Sequence, residues 1–584
     1  MFNQSNRKTW SVFSLLIVTA LLLASCGGNA TAIPTAAPTA PNSVPATQVP
    51  TVPSPTEVSI PRGGRAIVAL IQEPGQLSQF FNAQTGSFIS TLAVEPLFVA
   101  DAAGNYHPIL ASEVPTVENG GISADFLTIT YKIKPGILWS DGEPFTADDI
   151  VFTFDVYKDP NSTTQAPPAF SFIDTVTATD SLTVVVKMKS INPDYLTLWQ
   201  SVLPKHKFSS TAVTQDNPLA LIPMGTGPFV ITEWKTGDQI VLDRNPNYRD
   251  PQKPYLDGIT IKITPDRDAT IAGFLAGQFD YVFFLAGGDL ASIKSAEAGG
   301  APVFLDIGQG GMQAEYLWFN MSDNGDLSKP HPVLGDAAIR EAIDYGIDRQ
   351  GIVDNVLGGF GTLTGSFIYA GWAATNIAPT PYDPEHSKTV LDAAGWVPGS
   401  DGIRVKNGVR ASLRFQTIAG DTTRELYQQV IQQNMKDIGI EFNIQNVPSN
   451  TLFGSYSEGG LIQVGNYDIV MSRDGFFLDP IEWVSYFITS WIPSAQSPDG
   501  WTYAHWSNPQ FDQLAAEAAA SLDTKVRQPL YNQIDTIFRE NRLALPLYQA
   551  PRYNAWSTRL HGVTWDYFNP RHIFLSAADW YIQP

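Results

Sequence analysis

A single cysteine limits how this chain can be held together. Cys26 is the only cysteine among 584 residues, so the chain cannot form an internal disulfide. Apolar residues make up 43% of the sequence, which is typical of a globular protein. Because domains contain about 100–200 residues, the chain is long enough for about two or three of them.

A short apolar run precedes the cysteine. Arg7 and Lys8 supply positive charge, and the run WSVFSLLIVTALLL after them is shorter than the roughly 20 residues of a membrane-spanning helix. This pattern predicts an export signal. The motif LASC at residues 23–26 resembles the lipobox of bacterial lipoproteins, in which the cysteine is diacylated. We therefore expect residues 1–26 to be a lipoprotein signal peptide and Cys26 to be the lipidation site. A plain signal peptide and a retained signal anchor are the alternatives.

The stretch after the cysteine has the composition of a linker. Pro, Thr, Ala, Ser and Val dominate it, and Glu57 is its only charged residue. Such a composition cannot bury a hydrophobic core, and its prolines favour extended backbone. We predict that residues 27–61 form a disordered linker, with a cleavable pro-segment as the alternative.

The charge and the missing motifs exclude several kinds of site. A net charge of −21 argues against nucleic acid and anionic lipid as partners, because both require a cationic surface. The sequence contains no Gly-rich phosphate loop, no HExxH motif and no paired CxxC motif, and its seven histidines are isolated. We therefore predict no metal site, no cofactor and no catalytic residue. The carboxylates of DGEPFTADD would suit a secreted hydrolase, but turn and helix-cap roles explain them.

Short strands and amphipathic helices follow one another along the body. The stretches GRAIVALIQ, LTITYKIKPGILWSDG and LTVVVKMKS alternate apolar and polar residues. DAAIREAIDYGIDRQGIVDNVLGG and TRELYQQVIQQNMKDIGIEFNIQ carry helical periodicity. The pattern predicts a mixed α/β body. Within it, Thr146 caps a helix that starts at Ala147, and Gly225 and Gly227 permit a tight turn.

Four motifs resemble one known family. They are LTITYKIKPGILWSDGEPFTADDIVFTFD, PMGTGPFVITEWKTGDQIVLDRNPNYRDPQKPYLDGITIKI, YLWFNMSDN with the helix REAIDYGIDR after it, and YDIVMSRDGFFLDP. In this order they are similar to the motifs of the extracellular solute-binding proteins of the peptide and nickel class, family 5. Members of this family are receptors of ABC importers.

The resemblance implies an α/β flytrap similar to the type II periplasmic binding proteins. It has two lobes, three domains and mixed sheets, and ligand bound between the lobes favours the closed form. Two connections near YLWFNMSD and LALPLYQAP are the expected hinge. The expected boundaries are 62–104, 219–318 and 551–584 for a discontinuous domain I, 105–218 for domain II and 319–550 for domain III.

One loop carries the evidence on the ligand. In the family's peptide receptors, an aspartate three positions before an acidic-Pro dipeptide pairs with the ligand's α-ammonium. Here the dipeptide begins at Asp479, Phe476 occupies the earlier position, and Asp474 stands close by. A buried ammonium needs a charge partner, whereas a sugar needs aromatic faces and hydrogen-bonding groups. The expected ligand-binding residues are Phe80, Phe81, Gln84, Asn450, Arg473, Asp474, Phe476, Phe477, Asp479 and Trp483.

These features lead to one functional hypothesis with an open ligand. The protein is expected to be a monomeric, lipid-anchored receptor of an ABC importer, and not an enzyme. Its partners are the ligand, a membrane permease and, through the anchor, the membrane. We expect it at the outer face of the cytoplasmic membrane or in the periplasm. A peptide is the first choice of ligand because it is the family's commonest substrate, and an oligosaccharide, favoured by Phe476, is the alternative.

Changing Cys26 to alanine tests the anchor. We expect the Cys26→Ala protein to be unlipidated, and either poorly processed or released into the soluble fraction, because no other thiol is available for acylation. Fractionation and the mass of the mature chain measure this. Normal processing with unchanged membrane retention would contradict the assignment.

Overall fold

The structure, a computed structural model, describes residues 60–81, 84–101, 104–283, 285, 287–308, 313–475, 479–495, 497, 500, 502–564 and 574–583. For residues 84, 85, 168 and 220 it describes the backbone only. The predicted signal peptide, Cys26 and the linker up to residue 59 lie outside the described residues. The described residues belong to one unit, Ile60–Pro584, and none of their helices is long and apolar enough to cross a bilayer.

Strands and helices are interspersed along the described chain. The strands are β1 (Arg65–Leu70), β2 (Phe98–Ala100), β3 (Tyr106–Pro108), β4 (Thr128–Lys132), β5 (Ile173–Asp180), β6 (Thr183–Met188), β7 (Phe229–Lys235), β8 (Gln239–Arg244), β9 (Gly258–Ile263), β10 (Tyr281–Phe283), β11 (Val303–Gly308), β12 (Gln313–Phe319), β13 (Ser322–Asp323), β14 (Asp326–Pro330), β15 (Val397–Pro398), β16 (Arg404–Lys406), β17 (Val409–Arg410), β18 (Ser412–Gln416), β19 (Glu441–Ile444), β20 (Ile469–Gly475), β21 (Ala544–Gln549), β22 (Arg552–Ser557), β23 (Leu560–His561) and β24 (Tyr581–Ile582). The helices are α1 (Gln84–Ser90), α2 (Ala147–Lys158), α3 (Pro218–Leu221), α4 (Arg267–Leu275), α5 (Leu290–Ala298), α6 (Ala337–Gly346), α7 (Arg349–Asn355), α8 (Pro384–Ala393), α9 (Thr422–Asp437), α10 (Ser449–Phe453), α11 (Pro480–Ser485), α12 (Pro509–Ala519) and α13 (Thr524–Asn541).

The largest sheet is built around the first strand. Its order is β11-β22-β10-β1-β9-β8-β7, and β1 pairs in parallel with both of its neighbours. Val68 and Leu70 of β1 are buried on one face, whereas Ala69 packs on the other face with α4 and α5. The strands of this sheet come from three separate parts of the chain, which are β1, β7 to β11, and β22.

The second sheet, of order β19-β18-β20-β12-β21, is also buried on both faces. Along β12, Tyr316 and Trp318 belong to one apolar cluster, and Leu317 and Phe319 belong to another. A strand covered on both faces has no solvent side, which explains why YLWF is a continuous apolar run. Strand β12 is antiparallel to β20 and β21, whereas β18 is parallel to β19 and β20.

Helix α2 packs on a third sheet, β4-β6-β5. Thr146 is its N-cap, which confirms the sequence prediction, and the Thr146 backbone N–H donates to Asp149 Oδ2 at 2.8 Å. Asp149 Oδ1 accepts the Lys205 backbone N–H at 2.8 Å. Asp141 pairs with Lys207 Nζ at 2.6 Å. These two carboxylates of DGEPFTADD therefore hold local structure together.

The described chain passes between the two larger sheets in an outward and a return passage. The outward passage joins Gly308, the end of β11, to Gln313, the start of β12, and its own residues are not described. The return passage runs from Gln549 of β21 to Arg552 of β22. The Ala550 N–H donates to the Gln313 carbonyl oxygen at 2.7 Å, so the return passage lies beside the start of β12. Residues 309–312 lie outside the described residues. The sequence places the hinge near YLWFNMSD and LALPLYQAP. The residues between β21 and β22 belong to LALPLYQAP, and the outward passage comes just before YLWFNMSD.

Two glycines before β7 allow a close approach between backbone segments. A Cβ atom on Gly225 would lie 2.0 Å from the Ala93 carbonyl oxygen, and one on Gly227 would lie 2.6 Å from the same atom. Neither glycine has a positive φ. The requirement is therefore space beside Ala93, rather than the turn conformation that the sequence suggested.

Replacing Gly225 tests this packing. We expect Gly225→Ala to lower the free energy of unfolding by about 1–3 kcal/mol or more, because the added methyl group forces the backbone at Ala93 to move. Denaturant titration measures the change. Gly75→Ala is the control, since a Cβ atom there meets nothing within 4 Å. Wild-type stability of Gly225→Ala would show that the segment accommodates a side chain.

Candidate functional site

The end of β20 leads into the loop that the sequence singles out. Arg473 and Asp474 are neighbours in this strand and lie on opposite faces of the second sheet. Asp479 is the N-cap of α11, and its side chain accepts a backbone N–H of that helix at 3.0 Å. Phe476 and Phe477 lie outside the described residues, so their contact with a ligand stays a prediction.

Asp474 is surrounded by aromatic side chains. The Ser472 hydroxyl donates to Asp474 Oδ2 at 3.0 Å. Burial raises the pKa of Asp474 to about 6, and the Ser472 hydrogen bond opposes this rise. Burial also raises the pKa values of Tyr316, Tyr486 and Tyr503, and the nearby Asp474 carboxylate adds to each rise. Among the described residues, no lysine, arginine or histidine forms an ion pair with Asp474, because the nearby arginines pair elsewhere.

Two buried hydrogen-bond donors lie next to this carboxylate. The Tyr316 and Trp318 ring centroids lie 5.3 Å apart, and those of Trp318 and Tyr486 lie 6.2 Å apart. In the part of the chain that the structure describes, the Tyr316 hydroxyl and the Trp318 indole N–H are buried without a well-aligned hydrogen bond, and their polar neighbours are Tyr369 for Tyr316 and the Asp474 carboxylate for Trp318. Such groups are costly and rare in native proteins. The feature of this cluster that an added ligand could change is therefore the Asp474 carboxylate, which has no cationic partner among the described residues.

Asp479, the other candidate aspartate, already has a cationic partner. Arg527 Nη1 donates to Asp479 Oδ2 at 2.6 Å, and Nη2 donates to Oδ1 at 2.5 Å. Both side chains are buried, and Arg527 Nη2 also donates to the Tyr531 hydroxyl at 2.6 Å. A buried bidentate pair is neutral, and removing either partner leaves an uncompensated charge. Of the two candidate aspartates, Asp474 is therefore the one without a cationic partner among the described residues.

Helix α11 also contacts the part of the chain expected to form domain II. The Asp194 carboxyl is hydrogen-bonded to the Glu482 carboxyl. Burial and the charges of Glu482 and Asp479 raise the pKa of Asp194 well above its ordinary value. Tyr106 lies at the same contact, where burial and the Asp194 charge raise its pKa. Two carboxyl groups in contact cannot both be ionised cheaply, so a proton or a cation is needed between them.

The remaining predicted residues are buried or lie elsewhere. Trp483 has no exposed surface, and its indole N–H donates to a backbone carbonyl at 3.0 Å. Phe80 and Phe81 are buried in a separate apolar cluster that includes residues of α2. Gln84 begins α1, and Asn450 is exposed on α10. Trp483 packs against the aromatic side chains near the loop, and the side chain of Gln84 lies outside what the structure describes.

Sequence reasoning did not find the aromatic residues around Asp474. Tyr316 and Trp318 lie in the quoted motif YLWFNMSDN, which indicates a buried strand and no more. Their spacing does carry a signal, because residues two apart on a strand share a face. Tyr486 and Tyr503 lie outside the four motifs that resemble the family, and the packing of α11 brings them to the site.

Comparison with known proteins identifies the family. The profile described as bacterial extracellular solute-binding proteins, family 5 Middle, matches residues 105–497. The chain therefore belongs to the family 5 extracellular solute-binding proteins, as its motifs predict. Its function is substrate binding for an ABC transporter.

Individual relatives differ in the ligand that their names state. The oligopeptide-binding protein AppA of Bacillus subtilis (strain 168) is 26% identical over 536 residues, which cover 89% of this chain and 92% of AppA. The nickel-binding periplasmic protein of Escherichia coli (strain K12) is 23% identical over 492 residues, covering 81% of this chain and 86% of that protein. The structure of AppA with a nonapeptide aligns at a TM-score of 0.67 and 25% identity, over 90% of this chain and 100% of the AppA chain.

The predicted α/β fold class is confirmed. The described residues contain no cluster of three or more His, Cys, Asp or Glu side chains able to hold a metal ion.

Replacing Asp474 by asparagine tests its electrostatic environment. A carboxyl group whose pKa is raised by folding holds its proton more tightly in the folded state than in the unfolded state. The free energy of unfolding therefore falls as the pH rises from about 4 to about 6, and it stays lower above that range. We expect Asp474→Asn to match the wild type at pH 4 and to be more stable at pH 8, by roughly 1–3 kcal/mol. Thermal and denaturant unfolding at both pH values measure the difference.

The exposed Asp174 of β5 provides the control for this prediction. Asp174→Asn should change stability little at either pH, because an exposed carboxylate keeps its water. If Asp474→Asn were less stable than the wild type at pH 8, the Asp474 carboxylate would be part of the fold's own hydrogen bonding.

Proposed function

We propose that this chain is a lipid-anchored receptor of an ABC importer that captures a peptide and delivers it to a membrane permease. The family supplies the substrate-binding role. The observation that supports a peptide is the Asp474 carboxylate, half-buried among aromatic rings and without a cationic partner in the described chain.

A peptide N-terminus suits this arrangement better than a neutral ligand. An ammonium makes charge-assisted hydrogen bonds to a carboxylate, and aromatic faces attract cations. The Trp318 indole N–H is a further donor beside the Asp474 carboxylate, where the ammonium would bind. Two comparisons add support, since one relative is named an oligopeptide-binding protein and its structure contains a nonapeptide.

The proposed capture mechanism closes two lobes on the ligand. Domain I consists of 62–104, 219–318 and 551–584, domain II of 105–218, and domain III of 319–550. The largest sheet supports this division, because it takes strands from each of the three domain I segments. The hinge is the pair of passages between the two larger sheets. A ligand that contacts both lobes only in the closed form shifts the population toward that form by its difference in affinity.

An oligosaccharide is the second candidate, and the aromatic side chains favour it. Tyr316, Trp318, Tyr486 and Tyr503 offer ring faces and polar tips of the kind that sugars contact. A neutral sugar, however, leaves the Asp474 charge uncompensated. The two candidates therefore predict opposite effects of removing that charge.

The remaining parts of the proposal concern location and action. Acylation of Cys26 holds a monomer at the outer face of the cytoplasmic membrane or in the periplasm, and the Pro-rich stretch 27–61 serves as the tether. The protein acts by binding and release, without a catalytic step. A secreted hydrolase remains the alternative that turnover of a bound ligand would reveal.

Titration with matched peptides tests the ligand class. We expect trialanine to bind the wild type, and N-acetyl-trialanine to bind about 10- to 100-fold more weakly, because acetylation removes the ammonium. Asp474→Asn should lose a similar factor for trialanine and little for the acetylated peptide. Calorimetry measures these affinities, with Asp174→Asn as the control. Equal affinity of both peptides for the wild type, or tight binding of an oligosaccharide with neither peptide bound, would contradict the proposal.

A further inference from the structure

A cleft in the expected domain III contains more arginine than acid. It lies where α6 is followed by α7 and where α13 is followed by β21. Arg349, Arg539 and Arg542 line it, and Asp344 is the one carboxylate among its described lining residues. The lining therefore carries excess positive charge, although the net charge of the chain is −21. The cleft is small and open to solvent, so it suits a compact anion better than a peptide.

Asp344 is already engaged and does not neutralise all three arginines. Arg349 Nη2 donates to Asp344 Oδ1 at 2.7 Å, and the Thr380 hydroxyl donates to Oδ2 at 2.9 Å. Arg542 is held more loosely, because its Nε lies 3.3 Å from Asp344 Oδ2 and its Nη1 lies 3.9 Å from Glu341 Oε2. The Arg542 guanidinium is therefore able to take a further acceptor.

Two other arginines add positive charge at the same place. Arg539 lines the cleft, and within the described chain no carboxylate forms an ion pair with it, since Asp535, one turn earlier in α13, is buried in the core. Arg340 is buried behind the cleft, where its Nε donates to the Asn541 carbonyl oxygen at 2.8 Å. Burial and the nearby charge of Arg542 lower the pKa of Arg340 to about 10. An anion in the cleft meets guanidinium charge that the described chain leaves in excess.

Arg542 also occupies a backbone position that favours glycine. It follows the last residue of α13 with φ of 48° and ψ of 55°. Glycine is the usual residue at such a helix end, because a Cβ atom makes the left-handed conformation costly. The Arg542 backbone N–H donates to the Arg539 carbonyl oxygen at 3.2 Å, a bond that glycine would also form. The turn therefore does not need the arginine side chain, which instead lines the cleft.

We propose that Arg539 and Arg542 bind a compact oxyanion, such as phosphate or sulfate, in this cleft. The planar guanidinium fork matches the oxygen atoms of such anions and pairs with two of them at once. The bound oxyanion joins the end of α13 to the turn between α6 and α7, and so stabilises the folded chain.

This oxyanion site is separate from the Asp474 loop. Ala314 of β12 pairs with both Asp474 of β20 and Gln549 of β21, so Asp474 lies at the Gln549 end of the second sheet. The cleft lies at the other end of β21, where Ala544 is part of its lining. The proposal is therefore independent of the solute that the protein captures.

Thermal unfolding of the full chain in phosphate tests the site. The unfolding midpoint is measured in increasing sodium phosphate, with sodium chloride at equal ionic strength and pH as the reference. We expect phosphate to raise the midpoint of the wild type and the rise to level off at millimolar concentration. A binding site saturates, whereas the general effect of phosphate on protein stability grows steadily with its concentration. Calorimetric titration with phosphate gives the affinity directly.

Three variants connect the effect to the cleft. Arg539→Gln and Arg542→Gly should each weaken phosphate binding by about 10-fold or more, and Arg542→Gly should keep its stability in chloride because glycine suits the left-handed turn. Lys525→Gln is the control, since it removes the same charge from an exposed position at the other end of α13 and should bind phosphate as the wild type does. No saturable rise in the wild type, or phosphate affinity unchanged in both arginine variants, overturns the proposal.

Discussion

Burial of β12 on both faces is the constraint on which the rest of the structure depends. Its side chains alternate between two apolar clusters, with Tyr316 and Trp318 in one and Leu317 and Phe319 in the other. The strand lies between β20 and β21, and it begins where the chain arrives from the largest sheet. The same strand therefore positions the aromatic rings beside Asp474 and places its first residue, Gln313, next to the return passage.

Neutralisation of charge distinguishes most buried carboxylates of this structure from Asp474. Buried carboxylates such as Asp479, Glu315 and Asp280 pair with arginines, which keeps the cost of their burial acceptable. Asp474 lacks such a partner among the described residues. Groups of this kind reduce the stability of the empty protein, and a ligand that pairs with them recovers that stability on binding. The free energy that the empty protein loses by burying an unpaired charge is thus regained when a ligand of opposite charge binds, and this gain strengthens binding.

Much of the fold follows from local patterns in the sequence. The alternation in GRAIVALIQ predicts β1, and Thr146 before Ala147 predicts the start of α2, because caps and strand periodicity depend on neighbouring residues alone. Gly225 was predicted to be special, but for a turn. The actual reason is its contact with Ala93, more than a hundred residues away, which no local pattern contains.

The sequence by itself determined the family, the mixed α/β class and the loop that carries Asp474, because the motifs for these features are contiguous. It left Asp474 and Asp479 equivalent, since each is an aspartate close to Phe476. Only the tertiary structure distinguished them. Arg527 comes from a helix nearly fifty residues further along the chain and neutralises Asp479, whereas Tyr316, from a distant strand, helps bury Asp474 without neutralising it. Which charge is paired depends on long-range packing, and a linear sequence does not specify which distant side chains become neighbours.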